Sequence, residues 1–126
     1  MNLTHEHIVV TGGSTGIGAA ICDAFLAQGL SVINLSRRPL ERANDRLLNI
    51  ELDLSDRSAT EDVAQDIASR FSVTGLIHNA GLIRADLVED VKLDDLDYLS
   101  QVHIGAAITL TQAFIPAMKA AGFGRI

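Results

Sequence analysis

Short apolar runs alternate along this chain with longer stretches of mixed polarity, and the two kinds of segment carry different periods. The brief runs read as strands buried on both faces, over His7–Thr11, Ser31–Leu35, Leu48–Leu52 and Gly75–Asn79. Between the first two, Ile17, Ile21, Ala24, Phe25 and Gln28 fall at helical spacing and predict a helix over Thr15–Gln28, with Gly29 as its stop. Ser58-Ala59-Thr60-Glu61 has the form of a capping box and predicts a second helix to Phe71, with Val63, Ala64, Ile67, Ala68 and Phe71 inward. A short polar helix is expected after Pro39. From Asp94 to Ala121 the pattern is helical, either one long helix or a short one running into a long one, bent where Pro116 removes an N–H. Gly81–Leu93 is the one extended irregular segment. Regular alternation of strand and helix argues for an α/β fold, a parallel sheet covered on both faces, as a single domain over 1–126.

Where the first strand meets the first helix the chain reads Thr11-Gly12-Gly13-Ser14-Thr15-Gly16-Ile17-Gly18. Strand, glycine-rich turn and helix at this spacing form a dinucleotide-binding signature. Gly12 takes the tight turn, Gly16 lets backbone approach a pyrophosphate, and Gly18 lets the helix start pack on the sheet. The first helical turn aims free N–H groups and its positive dipole end at phosphate. Gly12, Ser14, Thr15, Gly16, Ile17 and Gly18 are therefore the candidate phosphate-binding set. By the switch-point rule the fold is a doubly wound parallel sheet, Rossmann-like, with strands in the order 3-2-1-4.

Two further motifs lie downstream: Asp53-Leu54 at the end of the third run, and Asn79-Ala80-Gly81 closing the fourth. In this order and spacing, the three motifs resemble the short-chain dehydrogenase/reductase family. The resemblance runs from about Ile8 to the last residue, where Gly122-Phe-Gly-Arg-Ile126 looks like the start of that family's fifth strand. It implies a Rossmann-fold oxidoreductase whose catalytic serine and Tyr-x-x-x-Lys pair lie beyond this chain, so residues 1–126 alone are expected to be inactive. The only tyrosine, Tyr98, is followed four residues later by Val102 rather than lysine, and packing on a helix face is expected of it. The resemblance further implies that Asp53 and Leu54 recognise adenine, against the alternative of an Asp capping a turn. It also implies that Asn79, Ala80 and Gly81 brace the cofactor crevice. His103 falls where the family's tetrad asparagine is usual; it is the one candidate catalytic residue, in a water-linked proton relay, with a histidine merely satisfied by a hydrogen bond as the alternative. The helix over Leu99–Lys119 is apolar on more than one stripe, and by resemblance its outer side is a homodimer or homotetramer interface.

The second strand's end decides the cofactor. An acidic residue there would hold the ribose hydroxyls of NAD and repel the 2′-phosphate of NADP. The chain instead reads Ser36-Arg37-Arg38, with Ser36 at the carboxylate position. A planar guanidinium on Arg37, joined by Arg38, suits a phosphate. NADP is thus the expected cofactor, with NAD the less favoured alternative. Arg42 and Arg46 are expected to sit on a solvated face, with Arg38–Glu41 and Arg42–Asp45 pairs.

Composition narrows the rest. In 126 residues, 48% are hydrophobic, enough for a real core, and the net charge of −6 argues against nucleic acid or an anionic membrane as partner. No apolar run approaches the roughly 18–20 residues of a membrane span. Met-Asn-Leu-Thr-His-Glu-His has no basic segment followed by an apolar one, so no signal peptide is expected and a cytoplasmic location is the default. The single Cys22 has no disulfide partner within the chain and reads as a small buried hydrophobe. His5, His7 and His78 lack paired ligand spacing, so no metal site is expected. Three functions compete: an NADP-dependent enzyme exchanging hydride with a small carbonyl or alcohol substrate; a non-catalytic NADP-binding module; and an S-adenosylmethionine methyltransferase, which would want an acidic residue at the second strand's end and leaves Arg37 unexplained.

Overall fold

A computed structural model describes residues 6–126. Strands β1 (His7–Thr11), β2 (Ser31–Ser36), β3 (Leu47–Glu51) and β4 (Val73–Ile77) form one parallel sheet in the order β3-β2-β1-β4, as expected. β1 is central: His7–Thr11 run in register with Ser31–Leu35, and Val9 and Val10 are fully buried. A register shift between His7 and Ile8 accommodates β4 on the other side. Beyond β4, Arg125 closes a single parallel bridge to Gly75, with its N–H on the Thr74 carbonyl at 3.0 Å and its carbonyl accepting from Leu76 at 2.9 Å. The expected start of a fifth strand is represented by this one bridge.

Helices cover both faces. α1 (Gly16–Ala27) packs on the face carrying Ile8, Val10 and Val32. α2 (Arg57–Arg70) and α4 (Ala106–Ala121) pack on the face carrying Val9, Ile33, Leu35 and Leu76, where Leu110 and Phe114 fill the centre. The stripe of α1 differs from the predicted one. Gly18, Ala19, Cys22 and Leu26 are innermost, while Ile17 is 76% exposed. The helix approaches the sheet through its smallest side chains, which a search for large apolar residues passes over. Cys22 is buried as expected, and burial beside Asp23 pushes its thiol up to about 11.

Other expectations are corrected by local hydrogen bonding. No helix follows Pro39, because Leu40 turns inward to 2% exposure and the Asn49 side chain binds both its N–H and its carbonyl, at 3.0 Å each, in place of helical partners. Arg42 reaches Asp23 on α1 at 3.1 Å instead of Asp45, and Arg38 is in no ion pair with Glu41 among the described residues. α2 is capped two residues earlier than predicted: Asp56 stands at the N-cap in place of Ser58 and accepts from the Ala59 N–H at 3.0 Å. β4 ends at Ile77, so Asn79 lies past the strand, and a single 3₁₀ turn, Val88–Asp90, interrupts the irregular segment.

The C-terminal helix is continuous. α3 (Leu93–Ser100) joins α4 through a π turn over Gln101–Gly105, and Pro116 lies inside α4. The departure from α geometry therefore falls at the π turn, where the wider winding turns Gln101 to the Leu54 carbonyl at 3.2 Å and His103 to Leu82. By length and composition the run Leu93–Ala121, an 18-residue stretch of which has mean hydropathy 1.2, would reach across a membrane, a property core helices share. Here its Ala106, Leu110, Phe114 and Met118 stripe is buried against the sheet and α2.

Candidate dinucleotide site

The carboxyl ends of all four strands open onto one cleft of about 780 Å³. From β1 it receives Gly12, Ser14, Thr15, Ile17 and Gly18; from β2, Ser36, Arg37 and Arg38; from the segment after β3, Asp53 and Leu54; and from that after β4, Asn79, Ala80 and Gly81. Among the sequence-predicted residues only Gly16 and His103 are absent from the lining. Gly16 adopts φ +57°, and a Cβ there would meet nothing within 4 Å, so the chain leaves space over it. Leu35, Leu52, Leu82, Tyr98 and Val102, which sequence reasoning did not assign to a site, complete the wall. Tyr98 is half-buried there with the Arg84 guanidinium 5.2 Å over its ring, rather than packed on a helix face alone.

Thr11 holds the first and last of these loops together. It is 2% exposed, and its Oγ1 accepts from the Asn79 N–H at 3.1 Å and the Ala80 N–H at 3.0 Å. In return, the Asn79 carboxamide donates to the carbonyls of Thr11 at 3.2 Å and Gly12 at 3.0 Å. Gly12 (φ +66°) and Gly18 are glycines because of this closeness. A Cβ on Gly12 would lie 2.9 Å from Ala80 Cα, and one on Gly18 would strike the Gly12 carbonyl oxygen and Asn79 Nδ2. The first turn of α1, whose opening N–H groups have no partner within the helix, starts at this cleft with Ser14, Thr15, Ile17 and Gly18 in its lining.

On the β2 side, Leu35 accepts from the Gly12 N–H at 2.9 Å, and Ser36 accepts from the Leu52 N–H at 3.0 Å. Ser36 is buried, while Arg37 and Arg38 are exposed on the cleft rim with no carboxylate at the strand end. Asp53, exposed across the cleft, folds an Asx turn: one carboxylate oxygen accepts from the Ser55 hydroxyl at 2.7 Å and the Ser55 N–H at 3.0 Å. Those two donors, with the Arg37 charge at longer range, hold its carboxyl below the usual carboxylate range. Asp53 thus caps its own turn and lines the cleft as well.

His103 stands behind the cleft wall. Its Nε2 is 2.8 Å from the Leu82 carbonyl oxygen and 3.1 Å from the Leu82 N, and its ring lies against Gly81, where a Cβ would come within 2.8 Å of Cε1. One nitrogen serves either backbone group, depending on the tautomer. His78 contacts the Thr111 hydroxyl at 3.2 Å, and burial lowers its pKa. Among the described residues no group of three His, Cys, Asp or Glu is placed to hold a metal ion; His5 lies outside them.

A parallel sheet wound on both sides, with a glycine loop at the start of α1 and its crevice where the strand order reverses, defines a Rossmann-like dinucleotide-binding protein. Comparison with known sequences narrows the class: the family model for short chain dehydrogenase matches residues 6–126. The chain belongs to the short-chain dehydrogenase/reductase family. It is 30% identical to the 3-oxoacyl-[acyl-carrier-protein] reductase of Salmonella typhimurium, an alignment that takes in 100% of this chain and 54% of the reductase. A short-chain dehydrogenase from Streptomyces avermitilis superposes with a TM-score of 0.88 at 32% identity, over 98% of this chain and 48% of that one. A metagenomic short-chain oxidoreductase in complex with NADP gives a TM-score of 0.87 at 29% identity, over 98% and 61%. The chain spans about half the length of the relatives it matches.

Proposed function

We propose that this chain is the cofactor-binding half of an NADP(H)-dependent oxidoreductase that moves hydride between nicotinamide and a small carbonyl or alcohol substrate. One observation carries the cofactor choice: the second strand ends on Ser36-Arg37-Arg38 at the cleft rim, with no carboxylate to repel a 2′-phosphate. The glycine loop from Gly12 to Gly18 takes the pyrophosphate. Arg37 and Arg38 take the 2′-phosphate, Asp53 and Leu54 the adenine, and Asn79, Ala80 and Gly81 back the crevice. The similarity to a metagenomic relative in complex with NADP supports this reading.

What NADP would supply is a hydride at the nicotinamide ring. This chain's own residues bind, orient and discriminate the cofactor's adenosine end. His103 holds the Gly81-Leu82 wall in place, which favours a bracing role over proton relay. The exposed Ile104 and Ile108, at 61% and 52%, suit a homodimer or homotetramer through the helix over Leu99–Lys119. A buried free thiol at Cys22 suits the cytoplasm.

Calorimetric titration with NADPH and NADH tests the assignment. NADPH is expected to bind more tightly, and Arg37→Ala to weaken it roughly 10- to 150-fold while NADH changes little, since a charged hydrogen bond to phosphate contributes about 1.5–3 kcal/mol. Equal loss for both cofactors would remove Arg37 from the 2′-phosphate site. The non-catalytic module remains the competing function and parts from the enzyme on turnover by the whole protein.

A further inference from the structure

Asn34 is a polar side chain in the middle of an otherwise apolar strand, 1% exposed, and its register partner on β3 is Asn49. Backbone groups with a single hydrogen-bonding role fix how both carboxamides point. The Gly13 N–H can only donate, and it lies 2.9 Å from Asn34 Oδ1, so oxygen faces the glycine loop. Ser36 Oγ is 2.7 Å from the same oxygen and therefore donates to it. Asn34 Nδ2 is left to donate to Asn49 Oδ1 at 3.0 Å. That oxygen also accepts the Leu40 N–H at 3.0 Å, while Asn49 Nδ2 donates to the Leu40 carbonyl at 3.0 Å. The chain of contacts has no slack at its start, because a Cβ on Gly13 would sit 2.6 Å from Asn34 Oδ1. Leu40 ends it, packed into the core beneath α1.

We propose that Asn34 and Asn49 are positioning residues that tie the glycine loop to the Arg37–Leu40 loop, so that the pyrophosphate and 2′-phosphate subsites are set together. The inference rests on the cofactor reading above. Arg37, Arg38 and Pro39 are exposed but strung between two pinned residues, Ser36 and Leu40. Fixing both ends removes much of the freedom the arginines would lose on meeting a phosphate. The hydroxyl proton of Ser36 is committed inward, so Ser36 offers the ligand only lone pairs, and donation to the phosphate falls to the arginines. Hydrogen bonds in series strengthen one another, and this series, buried at Asn34 and part-buried from Asn49 to Leu40, lets an event at Gly13 be felt at Leu40.

Asn49, outside the cleft lining, is the residue to change in the intact protein. With 2′,5′-ADP and 5′-ADP as calorimetric probes, Asn49→Leu should weaken the first roughly five- to tenfold and the second less than twofold. Asn49→Ser, which adds no apolar bulk, should repeat the pattern, whereas Asn34→Leu, which also releases Gly13, should weaken both probes. Parallel losses, or none, in the two Asn49 variants would overturn the tie. Amide exchange supplies a readout that does not depend on cofactor preference. Inorganic pyrophosphate should slow exchange at the Leu40 amide in the wild type and lose that effect in Asn49→Ser. If the wild type binds the two ADP probes equally, the cofactor assignment falls, and exchange alone decides on the tie. Slowing confined to the wild type supports it; slowing that survives in Asn49→Ser, or none in the wild type, overturns it.

Discussion

Substituting Gly18 should damage stability and cofactor binding together, and the size of both effects follows from the Cβ it lacks. An added Cβ would strike the Gly12 carbonyl oxygen and Asn79 Nδ2, the two atoms that hydrogen-bond each other at 3.0 Å, and would come 2.9 Å from the Gly12 carbonyl carbon. Gly18→Ala must therefore part that bond, at about 1–3 kcal/mol for a buried group left without its partner, and must shift backbone, at about 1–3 kcal/mol for overpacking. The better helix propensity of Ala returns about 1 kcal/mol. The net loss is about 1–5 kcal/mol, or roughly 4–20 °C in Tm for a domain of this size. Because the displaced segment carries the phosphate-facing N–H groups, NADPH affinity should fall at least about 30-fold, the equivalent of ~2 kcal/mol. Gly16→Ala is the control: its Cβ would meet nothing within 4 Å, so only its positive φ of 57° is strained, at about 1–2 kcal/mol. Thermal melts and calorimetric titration of the two variants compare a packing defect with a conformational one. A Gly18→Ala protein with wild-type Tm and wild-type NADPH affinity would refute the close-approach argument.

Placing a carboxylate at the second strand's end, Ser36→Asp, should reverse the ratio of NADPH to NADH affinity, read by titration with each. Truncating Phe114, 1% exposed at the centre of the larger core, to Ala should cost about 3–5 kcal/mol in denaturant melts without altering cofactor preference. His78 has a folded-state pKa depressed by burial, so its contribution to stability is fully present above the ordinary 6.5 and is lost as pH falls from there through the folded value. His78→Gln should flatten that part of the stability–pH curve, measured by urea melts between pH 5 and 8.

The doubly wound order and the cleft were legible in the sequence because each rests on a local pattern: apolar runs of strand length, and glycines spaced so that strand, turn and helix meet. The elements that escaped are those whose hydrogen-bond partners no local pattern names. Pro39 and its immediate successors look like a helix start, yet Asn49, nine positions from Leu40, claims the backbone groups a helix would use. Ser58 and Glu61 fit a capping box, but the helix has already begun at Arg57, with Asp56 accepting from the Ala59 N–H. Asn34 offered one signal, a carboxamide interrupting an apolar strand; only the register of β2 and β3 shows what it binds. Tyr98 is in the cleft because the π turn sets the phase of the helix that carries it, and no periodicity predicts a π turn.

That π turn makes the length of Gln101–Gly105 a constraint in its own right. A helix advances about 100° per residue and the π turn takes up one residue more than an α turn, so rewinding these residues as α without changing their number would rotate everything on one side by nearly that angle relative to the other. Either Tyr98 would swing out of the cleft wall, or Leu110 and Phe114 would leave the core beneath the sheet. Substitutions in this stretch alter single contacts, but a change of winding keeps the two halves of the helix in phase only when one residue is lost with it. Close homologues should therefore either keep this π turn at its full length or lose one residue here and run as regular α-helix.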